Sequence, residues 1–131
     1  MNETAIIDKI LIVDDSPVAR KILKSCIPAD KGYELHEADD GTAGLQRFKE
    51  VHPSVTFLDI TMAHMDGMEC LEEIKMLDQD AVVVMCTADI QPKSAQKAEN
   101  LGAFTMIKKP PSKNVVREVL ERVERHLTRA E

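Results

Sequence analysis

The feature that most constrains the fold of this 131-residue chain is a regular alternation of short apolar runs with longer amphipathic segments. The runs have the length and residue types of buried strands, and the segments between them place apolar residues at helical spacing. The five runs read KILIVD, YELHEA, SVTFLD, AVVVMCT and AFTMIKK. Strands that alternate with helices lie parallel, because crossover connections join them, and they need helices on both faces. The sequence therefore predicts a doubly wound α/β fold with a five-stranded parallel sheet.

Start and stop signals mark five helices after the five runs. Ser16 suits the N-cap of the first helix, and Pro17 suits its first turn. The fourth helical segment, QPKSAQKAENLG, is polar with few apolar anchors, and Gly102 suits its C-terminal cap. Two apolar stripes mark helical faces, Val18, Ile22 and Cys26 in the first helix and Val115, Val116, Val119, Leu120, Val123 and Leu127 in the last.

The length of the chain fits one domain, which we expect to span residues 1–131. No internal repeat, low-complexity tract or linker marks a boundary within it. We therefore predict a single domain without a second, output domain.

Polar groups follow four of the five runs at the point where each strand ends. The first run ends in Asp14 and Asp15, the third in Asp59, the fourth in Thr87, and the fifth in Lys108 and Lys109. The second run, which has the weakest buried character, is not counted among them, because the aspartates that follow it suit the N-terminal cap of the second helix. Because the carboxyl ends of parallel strands meet at one edge of a sheet, these side chains are expected to converge there.

Three carboxylates at one site repel one another unless a hard cation binds them. Mg²⁺ prefers oxygen ligands and is usually held by one or two carboxylates together with phosphate oxygens. A carboxylate can also act as a nucleophile toward a phosphoryl group, and that transfer needs positive charge and donors around the phosphoryl oxygens. Mg²⁺, the Lys109 ammonium and the Thr87 hydroxyl supply those groups, so the pattern predicts phosphoryl-transfer chemistry at Asp59.

Four motifs, LIVDDS, TFLDITMAHMDG, VVVMCTA and MIKKP, resemble in order and spacing those of the receiver domains of two-component response regulators. The resemblance runs from about Lys9 to the last helix, which is nearly the whole chain. Each motif alone is weakly specific, but four in register are highly specific. The resemblance implies the flavodoxin-like strand order 2-1-3-4-5, with helices on both faces of the sheet.

The resemblance also implies roles for the acidic residues. Asp59 is then the phosphoacceptor, and Asp14 and Asp15 bind Mg²⁺ together with Asp59. The backbone carbonyl of Thr61 completes the metal site by the same resemblance.

Further roles come from the fourth and fifth runs. By resemblance Thr87 carries the switch hydroxyl, Lys109 contacts the phosphoryl group, and Lys108 is its outward-facing neighbour. Met106 stands where receiver domains normally carry a Tyr or Phe whose rotamer follows the switch hydroxyl. Asp89 places a carboxylate at a position that in the family tunes dephosphorylation.

A receiver domain takes a phosphoryl group from a sensor histidine kinase or a phosphotransfer protein, changes shape and later hydrolyses its own acyl phosphate. The resemblance therefore implies a signalling switch of the CheY chemotaxis type, not an enzyme acting on a separate substrate. We expect the face of the fourth helix, fifth strand and fifth helix to change and to bind a downstream protein, with the flagellar motor switch as one candidate.

Alternative functions differ in how well they fit. A receiver that serves as a phosphate sink or phosphorelay carrier, or one half of a truncated larger regulator, stays open on sequence grounds. A flavodoxin needs Ser, Thr and Gly in the first loop, but this chain has VDDSPV there. A phosphatase with an aspartate nucleophile needs acids at alternate positions, which the adjacent pair Asp14 and Asp15 does not provide.

Charge and composition restrict partners and location. The net charge of −6 and pI near 5.2, without a basic stripe, disfavour nucleic acid and anionic membranes. No apolar stretch is long enough to span a bilayer, and the N-terminus lacks a targeting pattern. Cys26, Cys70 and Cys86 lie among apolar residues without metal-ligand spacing, so we expect buried free thiols in a cytoplasmic monomer.

Overall fold

The computed structural model of the protein describes residues 7–62 and 64–129. Within these ranges, five strands alternate with five α-helices, and a short 3₁₀ helix precedes the second strand. The elements in chain order are β1 (Lys9–Val13), α1 (Pro17–Cys26), β2 (Glu34–Ala38), α2 (Gly41–Val51), β3 (Val55–Asp59), α3 (Gly67–Leu77), β4 (Val83–Thr87), α4 (Pro92–Asn100), β5 (Thr105–Lys108) and α5 (Lys113–Arg129).

The strands form one parallel sheet in the order β2-β1-β3-β4-β5. This confirms the predicted doubly wound fold and its strand order. Register pairs Val13 with Leu58 and Thr87 with Lys108, so the strand ends that carry the predicted site residues lie side by side. Because ligands of such sheets bind at the carboxyl ends of the strands, a functional site is expected at this edge.

Each face of the sheet is covered by its own set of helices. Along β1, Ile10 and Ile12 point into the core beneath α1 and α5, whereas Leu11 and Val13 point into the core beneath α2, α3 and α4. This alternation follows from the two-residue period of a strand. A strand buried on both faces favours apolar residues at successive positions, which is why β1 is apolar from Ile10 to Val13.

The buried face of helix α1 differs from the face that the sequence predicts. Leu23 and Cys26 are buried, but Val18 is 66% exposed and Ile22 is 39% exposed. Spacing by four residues indicates a helix, but it does not fix which of two adjacent apolar stripes faces the core. Val115 in α5 is likewise 39% exposed, while its neighbour Val116 is fully buried.

Helices α4 and α5 contrast in how firmly they are anchored. In α4 the buried residue is Ala98, as expected from its polar sequence. Gly102 follows the helix with φ +98°, a left-handed conformation that glycine adopts without strain. Helix α5 is longer and buries a continuous stripe, Val116, Val119, Leu120 and Val123.

The three cysteines are buried free thiols, as predicted. Burial raises the pKa of both Cys70 and Cys86 to about 12, so neither is a nucleophile at neutral pH. Of the helices that the structure describes, none combines the length and apolarity needed to cross a membrane.

Candidate functional site

Three aspartates meet at the carboxyl edge of the sheet. Asp14 and Asp15 follow the last residue of β1, and Asp59 is the last residue of the neighbouring strand β3. A carboxylate oxygen from each lies within 4.8 Å of the other two. Asp14 and Asp59 are each 6% exposed, whereas Asp15 is exposed to solvent. The cluster thus has a buried floor and one open side.

Asp14 is held in place at three of its polar atoms by surrounding groups. Its backbone N–H donates to the carbonyl of Ala38 in β2 at 3.1 Å. Its carboxylate accepts from the backbone N–H of Ser16 at 2.9 Å and from the Lys109 ammonium at 2.8 Å. The side chain of Ser16 in turn caps α1 by accepting from the N–H of Ala19. The turn between β1 and α1 therefore fixes the direction of the Asp14 carboxylate.

Lys109 brings a positive charge into the cluster from the end of β5. Its Nζ lies 2.8 Å from Asp14 and 3.3 Å from Asp59. Its backbone N–H donates to the carbonyl of Thr87 at 2.7 Å, and the peptide bond to Pro110 is cis. Burial alone would lower the pKa of Lys109, but the hydrogen bond to Asp14 and the charges of both carboxylates outweigh it and raise the pKa. Lys109 is therefore an ammonium ion at neutral pH. Its neighbour Lys108 is exposed, as expected for an outward-facing residue.

The charges in the cluster do not balance. Burial and then the negative charge of Asp14 raise the pKa of Asp59, while Lys109 acts in the opposite direction. Three carboxylates face one ammonium group, which leaves an excess of negative charge on hard oxygen donors. Such a donor set fits Mg²⁺ in both charge and ligand type. A divalent cation bound there would also favour the ionised form of Asp59.

The loop after β3 is fixed close to Asp59. A Cβ atom on Gly67 would lie 2.1 Å from the backbone oxygen of Asp59, so only glycine fits at this position. The N–H of Gly67 donates to the carbonyl of Ile60 at 2.7 Å. Thr61 lies in this loop and is exposed, two residues after Asp59. The part that its carbonyl plays in metal binding stays a prediction.

Thr87 ends β4, and its hydroxyl forms hydrogen bonds within the turn that follows this strand. The hydroxyl donates to the carbonyl of Asp89 at 3.2 Å and accepts from the N–H of Asp89 at 3.3 Å. Thr87 thus lies at the sheet edge where the sequence predicts it. Among the described contacts, its hydroxyl makes no hydrogen bond to Asp59. Met106 lies half-buried in β5, opposite Met85 of β4 in the strand register.

A cavity of about 360 Å³ opens beside the cluster on the side of α1 and the loop after β5. Its floor is apolar and includes Ile12, Phe57 and Cys86. Asp14, Asp59 and Lys109 lie at its wall, so the acidic cluster borders an apolar space.

Sequence reasoning missed two residues near the cluster. Arg20 of α1 donates through NH1 to the backbone carbonyl of Asp14 at 2.6 Å, and its Nε lies 2.8 Å from Glu37 of β2. The available signal was a basic residue four positions after the cap Ser16, together with an acidic residue next to the last residue of the second strand. Neither is specific without the fold.

Comparison with known proteins gives a consistent result. The family model described as "Response regulator receiver domain" matches residues 10–121. The chemotaxis protein CheY of Listeria monocytogenes is 37% identical over 114 residues, which cover 87% of this chain and 96% of that protein. The regulatory protein AtoC of Escherichia coli is 36% identical over 104 residues, which cover 79% of this chain but 22% of AtoC.

A solved structure gives the same result in three dimensions. The CheX-CheY-BeF₃-Mg²⁺ complex from Borrelia burgdorferi contains a chain that superposes with a TM-score of 0.79 at 33% identity. The alignment covers 88% of this chain and 86% of that chain.

Proposed function

Because this chain belongs to the response regulator receiver domain family, we propose that it is a signalling switch in which Asp59 accepts a phosphoryl group. The observation that supports this most strongly is the arrangement at the sheet edge. A buried carboxylate, Asp59, lies 3.3 Å from the Lys109 ammonium and within 4.8 Å of two further carboxylates. An anionic cluster with one fixed ammonium suits a phosphoryl group that arrives with a cation.

The proposed step is an in-line displacement at phosphorus. One Asp59 oxygen forms the new O–P bond, while the P–N bond to a phosphohistidine of the donor protein breaks and its electron pair stays on the imidazole nitrogen. Asp59 must be ionised to attack, and the adjacent Lys109 ammonium favours that form. Lys109 then pairs with a phosphoryl oxygen, and the Thr87 hydroxyl turns from Asp89 toward another.

The residues that would hold Mg²⁺ are Asp14, Asp15 and Asp59, with the backbone carbonyl of Thr61 as a further ligand. Mg²⁺ bound there would offset the negative charge of the phosphoryl oxygens. One carboxylate oxygen of Asp14 accepts from the N–H of Ser16 and the other from Lys109, so the side chain is already directed into the cluster.

The donor in this proposal is a sensor histidine kinase or a phosphotransfer protein, and the output is binding of a downstream protein through α4, β5 and α5. Helix α4 has little buried surface, and Thr105 and Met106 in β5 are half-buried, so this part can repack at low cost. Chemotaxis is the favoured pathway because the similar Listeria protein is a chemotaxis protein. The flagellar motor switch is then a candidate partner. We further propose that the protein is a cytoplasmic monomer and that residues 1–131 form one receiver domain. The acyl phosphate that it hydrolyses is only its own.

A second candidate is a receiver that passes on or stores phosphoryl groups, or that is part of a longer regulator. The similarity to AtoC favours the latter, since the match covers only 22% of that protein. Phosphorylation of Asp59 is common to all of these, so it is the first property to test.

Incubation with Mg²⁺ and acetyl phosphate is expected to add one phosphoryl group to the protein, read by intact-protein mass spectrometry. Asp59→Asn should show no adduct. Asp39→Asn is a matched control, because Asp39 is an exposed aspartate that follows β2 at the same sheet edge but lies outside the cluster. An adduct on Asp59→Asn equal to that on the wild-type protein would contradict the proposal.

A further inference from the structure

Arg20 connects the acidic cluster to β2, a strand that supplies none of the three clustered aspartates. Its NH1 group donates to the backbone carbonyl of Asp14 at 2.6 Å, and its Nε donates to Glu37 at 2.8 Å. The Arg20 side chain is only 17% exposed, so this two-point contact is largely sheltered from water. A guanidinium group can span both acceptors because its N–H donors form a rigid planar fork.

The carbonyl that Arg20 contacts belongs to the peptide bond between Asp14 and Asp15. Its orientation therefore sets where the Asp15 backbone, and with it the Asp15 side chain, leaves the strand. Within residues 7–62 and 64–129, no hydrogen bond or ion pair of the Asp15 carboxylate is found, and Asp15 is exposed. By contrast, Asp14 is fixed directly by Ser16 and Lys109. Arg20 thus orients the one clustered aspartate that has no fixing contact of its own.

Glu37 keeps Arg20 in this position. One carboxylate oxygen of Glu37 accepts from Arg20, and the other lies 2.6 Å from Lys24 of α1. The hydrogen bond from Lys24, and then that from Arg20, lower the pKa of Glu37 despite partial burial. Glu37 therefore remains ionised at neutral pH and pairs with two cations from one helix.

We infer that Arg20 is a positioning residue for the metal site, acting through the Asp14–Asp15 peptide and held by Glu37. The inference rests on the proposed function, since it concerns the same metal site. Outer contacts of this kind orient metal ligands, and their loss typically weakens metal binding about 10-fold or more.

The positive charge of Arg20 predicts the opposite change in Mg²⁺ affinity, so the direction of the measured change distinguishes the two roles. Arg20 is a cation beside a cation site, so loss of its charge alone would strengthen Mg²⁺ binding. Loss of its positioning contact would weaken Mg²⁺ binding. The two roles of the same side chain therefore predict changes in opposite directions.

The experiment measures the Kd for Mg²⁺ of the full chain by isothermal titration calorimetry. Arg20→Met is expected to raise the Kd about 10-fold. Lys21→Met is the matched control. It removes the same charge from the adjacent position of α1, where Lys21 is exposed and makes no side-chain contact found in the described residues. Its Kd is expected to stay unchanged or to fall slightly.

Arg20→Lys keeps the charge but replaces the fork by a single ammonium, which cannot span both acceptors. Its Kd is expected to rise as well, and it carries the test if Arg20→Met does not fold in a melting experiment. A Kd for Arg20→Met at or below that of the wild-type protein, or a wild-type Kd for Arg20→Lys, would overturn the inference alone. Absence of Mg²⁺ binding by the wild-type protein would overturn the proposed function and this inference with it.

Discussion

At the residue scale, Asp59 meets two opposed demands. Asp59 is buried beside Asp14, which raises its pKa, yet the proposed function requires it to be ionised to bind a cation or attack phosphorus. Lys109 offsets part of this cost through its ion pairs with both carboxylates. The metal-free site therefore stores repulsion that a bound cation relieves, which is a property of a site built for binding and not for stability.

This repulsion predicts that Asp59→Asn stabilises the metal-free protein. The expected gain in the free energy of unfolding at neutral pH is about 1 to 4 kcal/mol, the range for two like charges 4 Å apart between bulk water and a protein surface. Chemical denaturation in the presence of a chelator measures it.

The pH dependence of that gain has a definite sign. The pKa of Asp59 is higher in the folded chain than in the unfolded chain, so the folded chain binds this proton more tightly. The stability cost of Asp59 is therefore present at neutral pH, begins to fall as the pH passes below the folded pKa, and is gone below the lower pKa of the unfolded chain. A difference between wild type and Asp59→Asn that stays constant or grows on acidification would contradict this explanation.

At the element scale, α4 is the part of the molecule best suited to move. Ala98 is its buried residue, whereas α5 buries four aliphatic side chains along one stripe. Because local stability follows buried apolar area, α4 should open more readily than α5. Thr87 ends β4 and precedes α4 in the chain, so we expect a change at its hydroxyl to reach this helix first.

Hydrogen exchange tests this assignment. Amides of α4 are expected to exchange faster than those of α5 in the free protein. Addition of Mg²⁺ with beryllofluoride, a mimic of a phosphoryl group, should change the protection of α4 and β5 while that of α5 near Val119 and Val123 changes little. Equal protection in α4 and α5, or no response of α4 to the mimic, would rule out α4 as the moving element.

Sequence patterns were sufficient for elements whose signals are local. Strands buried on both faces, such as β1 and β3, carry no charged residue between their first residue and the carboxyl end, and that end is itself visible as Asp14 or Asp59. Gly102 was predictable because a glycine after a helical segment commonly takes the left-handed conformation that follows a helix end, as Gly102 does here with φ +98°. The parallel topology then follows from the alternation of strands and helices.

Features that depend on distant contacts were not predictable. Val18 and Ile22 face solvent because Leu23 and Cys26 belong to the stripe that meets the sheet, and helical spacing alone cannot decide between the two stripes. Arg20 was overlooked because its importance comes from Glu37, which lies 17 residues away and on a different element. The engagement of the Thr87 hydroxyl by Asp89 likewise depends on the conformation of the turn.

At the scale of the whole molecule, the site joins parts of the chain that are far apart in sequence. Lys109 lies 95 residues from Asp14 and 50 residues from Asp59, so the cluster exists only when the sheet is formed. A cation that binds the folded chain, and not the unfolded chain, stabilises the entire domain by mass action. Metal binding and global stability are therefore linked in this account.

Thermal unfolding with and without Mg²⁺ measures this link. At a Mg²⁺ concentration 100 times its Kd, the wild-type protein is expected to gain about 2.7 kcal/mol. Asp15→Asn should lose most of this gain at the same Mg²⁺ concentration, yet keep the metal-free melting temperature because its side chain is exposed. Asp39→Asn should behave as the wild-type protein. A gain in Asp15→Asn equal to that of the wild type would exclude Asp15 as a ligand.

The central claim is that Asp59, among three adjacent aspartates, accepts the phosphoryl group. Borohydride reduces an acyl phosphate to an alcohol, so a phosphorylated aspartate becomes homoserine, which peptide mass spectrometry locates. After incubation with Mg²⁺ and acetyl phosphate, we predict homoserine at position 59 and unmodified aspartate at positions 14 and 15. Homoserine at either of those two positions, or at none of the three, would contradict the account.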